Sequence, residues 1–245
     1  LLADAARVLD RPDLLWAAST GAAGRAPRAC AMSFVPGGYA VQRSGWGDGV
    51  RAYLDERWAV LDCGPLGAGG HGHYDHLSVE LMGGGRRLVV DPGRYTYADT
   101  PWRRWFKGTA AHNTVTVDGL DQQPYRRGKP KGPQSSAVLV DRCAVGARPG
   151  QPALDVVTAR TTSPRYDAVH TRSLMLVGGD HWIVVDRLDA PTEHEYVARW
   201  HLDPEAHRRT VLSHEAHRSI VRFPAGTIAV PAGADLHLEA GWVSP

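Results

Sequence analysis

From about residue 38 onward the chain is a succession of short runs in which apolar and polar positions alternate. The runs are "GYAVQRS", "RWAVLDC", "HLSVELM", "RRLVVD", "NTVTVD", "SAVLVDR", "ALDVVTAR", "RSLMLV", "HWIVVDR", "EYVARWHL", "SIVRF", "TIAVP" and "DLHLEA". Each reads as a strand. A period of two puts every second side chain on one face, the pattern of an antiparallel sheet buried on one side. Turn residues separate the runs, as in "GGG", "VDG", "VGGD", "FPAGT" and "PAGAD". Strands at this spacing with no helices between them predict a mainly β protein built as a large antiparallel β-sandwich. One interruption, "PWRRWFKGT", reads as a helical turn.

The first thirty or so residues follow a different rule. "LLADAARVLD" places apolar residues at helical spacing, and "RPDLLWAAST" puts Pro12 where a first helical turn accepts it. "GAAGRAPRAC" then breaks the regularity. The expected division is the end of a helical region plus a linker over residues 1–33, and the sandwich over residues 34–245. The chain opens inside what reads as a helix and has no initiator Met, so a piece of a longer protein is expected.

Composition changes this picture little. A chain of 245 residues can bury a large core. Its formal net charge of +2 does not call for nucleic acid. No run approaches the roughly 18 apolar residues of a membrane span, and no signal peptide is visible. Cys30, Cys63 and Cys143 are widely spaced, with no CxxC pair, which excludes a cysteine zinc knuckle. One disulfide or three free thiols fit; free thiols are the expectation.

The chemistry concentrates in "GGHGHYDHLSVELMGGGRRLVVDPG", Gly69 to Gly93. In an extended segment His71 and His73 point to the same face, as a metal or proton-transfer site requires. Gly69, Gly70 and Gly72 let the backbone approach a ligand. Asp91 ends the run "LVVDPG", and His112 lies at the mouth of another strand in "GTAAHNTVTVDG". Two imidazole nitrogens and a carboxylate oxygen make a reasonable zinc shell. Ordinary hydrogen-bonded histidines at strand ends are the competing reading.

Two families write such a stretch. "HGHYDH" is similar to the HxHxDH motif of the metallo-β-lactamase superfamily, which would make Asp75 and His76 ligands of a second metal. In that fold a strand leads into the first histidine and a helix follows. Here "GPLGAGG" precedes it and "LSVELM" alternates like a strand. The fuller match is to the heparinase II/III family of polysaccharide lyases. "GHGHYDHLSVELMGGGRRLVVDPGRYTY", "PWRRWFKGTAAHNTVTVDGLDQ" and, more weakly, "RSLMLVGGDHWIVVDRLDAPTEHEYVARWHLDPE" resemble that family's segments in the same order.

That resemblance implies a C-terminal antiparallel sandwich preceded by an (α/α) toroid, of which residues 1–33 would be the end. It implies β-elimination on a uronic-acid polysaccharide of heparin, heparan, other glycosaminoglycan or alginate-like type. His71 matches the catalytic histidine. His73, Asp91 and His112 match the ligands of a Zn2+ that is mainly structural, and Asp75 and His76 then have no metal role. The toroid would bring a catalytic Tyr and a group that neutralises the substrate carboxylate. Tyr74, Arg94, Tyr97 and Arg104 are candidate substrate contacts, since Arg grips carboxylate or sulfate bidentately; Trp102 and Trp105 could stack on sugar. The implied partners are an anionic polysaccharide and the chain's own toroid, with a homodimer left open. The implied location is secreted or periplasmic. The alternative from another class is a carbohydrate-binding or structural sandwich that keeps the zinc and lacks the chemistry.

Overall fold

The computed structural model describes all residues except 68–70, 129–130, 149–150, 207, 242 and 245. Two short helices come first, α1 (Leu2–Val8) and α2 (Pro12–Ala18), and Pro12 opens α2 as its first residue. A five-stranded antiparallel meander follows: β1 (Ala31–Phe34), β2 (Tyr39–Arg43), β3 (Trp58–Asp62), β4 (Val79–Gly83) and β5 (Arg86–Val89). The 33/34 boundary expected from the sequence therefore falls inside β1. After helix α3 (Pro101–Lys107) comes the short strand β6 (Val115–Val117). A second meander is made of β7 (Ser136–Arg148), β8 (Gln151–Thr162), β9 (Val169–Val177) and β10 (His181–Asp189). β11 (Tyr196–Ala198) returns to pair with β6. β12 (Val211–His214), β13 (Arg218–Phe223) and β14 (Gly226–Pro231) form a three-stranded sheet.

The two large sheets pack face to face, and alternation supplies the core. Ala40, Ala59, Leu61, Leu77, Val79, Leu81 and Val89 come from the first sheet and its approach. They meet Val157, Ala159 and Leu174 from the second, with Trp182, Val184 and Trp200 against the cluster. Inward-pointing polar side chains tie the two sheets together. Gln42 on β2 crosses the sandwich and donates to the carbonyls of Asp155 (2.7 Å) and Leu174 (3.1 Å). Arg172 on β9 is 0% exposed. It holds Asp186 through two bonds (2.7 and 2.9 Å) and donates to the carbonyls of Leu77 (2.7 Å) and Asn113 (2.5 Å). Those two carbonyls belong to the loops that carry the histidines, so the second sheet grips the functional segment of the first.

The strand pattern read from alternation holds, with three departures. "DLHLEA" is irregular: residues 235–240 find no partner strand, and alternation without a neighbour makes no ladder. β1 and β12 arise where no strand was expected, because β2 and β13 offer them open edges in register. All three cysteines are free, Cys30 and Cys63 buried and Cys143 exposed. No helix among the described residues is long and apolar enough to cross a membrane.

Candidate metal and proton-transfer site

The site lies where β3, the approach to β4, the end of β5 and the turn after α3 converge. Thr100 caps α3: its hydroxyl accepts from the Arg103 backbone N–H at 3.2 Å, and Pro101 follows at the first helical position. A 3-10 turn, Thr109–Ala111, delivers His112 into β6. Next to it the buried Asn113 acts as a hub. Its amide donates to the carbonyls of Val79 and Val90, both at 2.9 Å, and its side-chain oxygen accepts from the His201 N–H at 2.6 Å. Tying Val90 to Asn113 brings their chain neighbours Asp91 and His112 together.

His73, Asp91 and His112 each offer a ligand atom within 4.8 Å of the others. Asp91 Oδ2 accepts from His112 Nδ1 at 2.6 Å, and the other carboxylate oxygen accepts from the Gly93 N–H at 2.8 Å. A proton on His112 Nδ1 leaves Nε2 as the free ring nitrogen. That atom is buried with no hydrogen-bond partner. An orphaned buried imidazole nitrogen beside a second imidazole, with a carboxylate orienting the ring, fits a zinc site by its donor chemistry.

The two rings differ electrostatically. Burial pushes His73 down to about 4, helped by the neighbouring His112. Burial would lower His112 too, but the bond to Asp91 and the fields of Asp75, Asp91 and Asp62 outweigh it and hold it above the usual imidazole range. Asp62, at the end of β3, is pushed up to about 7 by burial and by Asp75. It was not singled out from the sequence, although "VLDCG" marked an acid ending a strand.

His71 points away from this cluster. It is exposed, and its Nδ1 lies 2.9 Å from the Tyr97 hydroxyl. The Arg94 guanidinium lies 4.2 Å over the Tyr97 ring, and that of Arg103 lies 5.2 Å from its centre. Tyr97 thus stands beside His71, with Arg94 over its ring. Arg104 is exposed on α3, 3.4 Å from Asp99 and over the Tyr125 ring. Tyr74 does not reach the open side. It is 2% exposed; its hydroxyl donates to the Pro124 carbonyl at 3.2 Å and accepts from the Arg126 N–H at 2.9 Å. An alternating segment turns one of its aromatic residues inward, and Tyr74 joins α3 to residues 124–126 as a packing residue.

His76 stands apart from the cluster, whereas the charge of Asp75 reaches both of its histidines. His76 is buried, its Nε2 at 3.0 Å from Ser135 Oγ and its N–H donating to Gln122. With an antiparallel sandwich around it, the binuclear hydrolase reading fails. Gly69 and Gly70 lie outside the described residues, but Gly72 is required. A Cβ there would lie 1.9 Å from the Leu66 carbonyl oxygen. Gly72→Ala is expected to destabilise the fold by about 1–3 kcal/mol, read as a lower midpoint in denaturant unfolding. An unchanged midpoint would mean that the Leu66 carbonyl can give way to a Cβ at position 72.

The comparisons follow this geometry. Residues 26–245 match the family model described as heparinase II/III-like, C-terminal. A heparin-sulfate lyase of Bacteroides stercoris is 27% identical over 176 residues, covering 70% of this chain and 23% of that protein. A heparin-sulfate lyase of Pedobacter heparinus is 24% identical over 194 residues, covering 77% of this chain and 26% of that protein. The chain thus spans about a quarter of the length of these curated relatives. Among solved structures, heparan sulfate lyase HepC from Pedobacter heparinus superposes with a TM-score of 0.72 at 22% identity, over 91% of this chain and 32% of that one. A heparinase III crystal structure gives 0.65 at 19% identity, over 89% and 33%. At these identities the structural likeness speaks for the sandwich, and the family match over nearly the whole chain speaks for descent: this chain belongs to the heparinase II/III-like C-terminal family.

Proposed function

We propose that this chain is the sandwich portion of a polysaccharide lyase that cleaves a uronic-acid-containing polysaccharide by β-elimination. The observation that carries the reading is a juxtaposition: an exposed histidine bonded to a tyrosine hydroxyl, two residues from a His–His–Asp cluster built around the buried His112. Both stand in a chain similar to heparin-sulfate lyases.

The reaction needs three things. The C5 proton of a uronate is weakly acidic, and its carboxylate must be neutralised before charge can develop beside it. A base must take the proton as the electron pair forms the C4–C5 double bond. An acid must protonate the glycosidic oxygen as the C4–O bond breaks. An imidazole, with an ordinary pKa of about 6.5, serves either proton role near neutral pH. His71 takes one of them, with Tyr97 fixing its ring. Arg94 supplies positive charge for the substrate acid. The remaining proton role and a further neutralising group fall to a helical toroid N-terminal to this sandwich, whose end is α1 and α2. Such an enzyme meets its polymer outside the cytoplasm, in the periplasm or the medium.

His73, Asp91 and His112 would hold zinc. Its contribution is structural: it ties the segments before β4, after β5 and before β6 together and keeps the His71 backbone in place. Purified protein is expected to carry one zinc per chain by metal analysis, and His112→Ala to carry none. Stoichiometric zinc in that variant would sink the ligand assignment. The reaction itself is tested on heparan, other glycosaminoglycans and alginate by the ultraviolet absorbance of an unsaturated uronate, with the enzyme including its toroid. If these polymers are bound and none gains an unsaturated end, the non-catalytic binding sandwich is the better reading.

A further inference from the structure

The metal cluster contains a conflict of lone pairs. Arg103, 3% exposed on α3, places Nη1 3.2 Å from His73 Nε2. A guanidinium carries only N–H donors and accepts nothing. His73 Nε2 therefore supplies its lone pair to Arg103, and the proton of the neutral ring sits on Nδ1. A metal also needs a ring lone pair. If His73 offers Nε2, Arg103 and the metal claim the same electrons. If it offers Nδ1, the proton must move to Nε2, which can then no longer accept. Neither tautomer serves both. His112 has no such conflict, because its Nδ1 faces Asp91 and its Nε2 has no partner.

We infer that metal loading and the Arg103–His73 hydrogen bond exclude each other, so that Arg103 is a built-in competitor for the cluster and leaves His73 when the site fills. This rests on the metal assignment proposed above. Charge works in the same direction, since a guanidinium beside a divalent cation is repelled. The displaced group has a place to stay. It already lies 5.2 Å from the Tyr97 ring, whose hydroxyl meets His71, so leaving His73 keeps it on the side where the substrate acid would bind.

Zinc affinity of metal-stripped protein, measured against a chromophoric chelator, tests this. Arg103→Met removes the donors and keeps a long apolar side chain. It is expected to bind zinc about tenfold more tightly than the unaltered protein, the effect of deleting one charge-assisted competing bond. Arg209→Met, which removes the same charge from an exposed position, is expected to bind as the unaltered protein does. Equal or weaker binding by Arg103→Met overturns the competition and leaves the metal site standing. No zinc in any of the three overturns the metal assignment and this inference with it. Loss of a buried side chain can unfold the variant, so a second measurement uses the unaltered protein. Nitrogen-detected NMR of the His73 ring and the Arg103 guanidinium is followed as zinc is added. The two sets of signals are expected to shift together, and unmoved Arg103 signals beside a zinc-bound His73 would refute the exclusion.

Discussion

Replacing His71 with Ala is expected to lower the rate of polymer elimination by about 10²–10⁴-fold, the usual contribution of a positioned acid or base, while zinc content stays unchanged. The split follows from where the side chains point. His71 is exposed and its Nδ1 meets the Tyr97 hydroxyl, whereas His73 belongs to the cluster with Asp91 and His112. His73→Ala should therefore lose metal and activity together, and His71→Ala activity alone. Tyr97→Phe is expected to fall between the two: the ring and its place under Arg94 remain, but the hydroxyl that fixes the imidazole is gone. Initial rates over a substrate series, with metal analysis of each variant, check this. A His71→Ala enzyme that retains its rate would remove His71 from the chemistry. One that loses zinc would mean that the residue is structural.

Arg172→Met is expected to cost about 3–5 kcal/mol, the range found when one partner of a buried ion pair is removed. For a chain of this size that lowers the melting temperature by roughly 10 °C. Burial would raise the Asp186 carboxyl, but its bonds to His170 and Arg172 overcome this and hold it well below the usual carboxylate range. A carboxyl held low contributes stability above the ordinary value of about 4 and loses it as pH falls below that. The variant should therefore be less stable at neutral pH and show a weaker acid-dependent loss than the parent. Asp186→Asn in the same chain should recover part of the cost, because the unpaired charge is gone. The damage should also reach the site. Leu77 holds a left-handed backbone (φ 64°), a strained conformation for a bulky residue, and Arg172 binds its carbonyl as well as that of Asn113 beside His112. Weaker zinc binding in a still-folded Arg172→Met protein would report that loosening. A loss under about 1 kcal/mol would mean that the sheets hold without it.

Much of the architecture was legible because strands announce themselves by a period of two, and that pattern depends only on which face is buried. The helical turn in "PWRRWFKGT" was legible for a similar local reason, and Thr100 with Pro101 confirms its start. The opening histidines were legible as candidates because His71 and His73 are close in the chain. Their division of labour was not. A strict same-face reading put them side by side, whereas the structure sends His71 toward Tyr97 and His73 toward His112. Tyr74 was misplaced for a related reason: alternation says that residues differ in facing, and not which one faces the core.

By itself, then, the sequence determined the alternating strands, the turns between them, the helical start and the residue types able to hold a metal or move a proton. All of these are set by neighbours a few positions away. The family resemblance had already grouped Asp91 with His73 and His112; the tertiary structure alone decided that Asp62 and Arg103 border the cluster, and that Asn113 and Arg172 hold it in place. Those contacts join residues separated by many positions, Arg172 and Leu77 by 95 of them. Their partners are chosen by the register of the sheets and the packing of one sheet on the other, which no local pattern encodes.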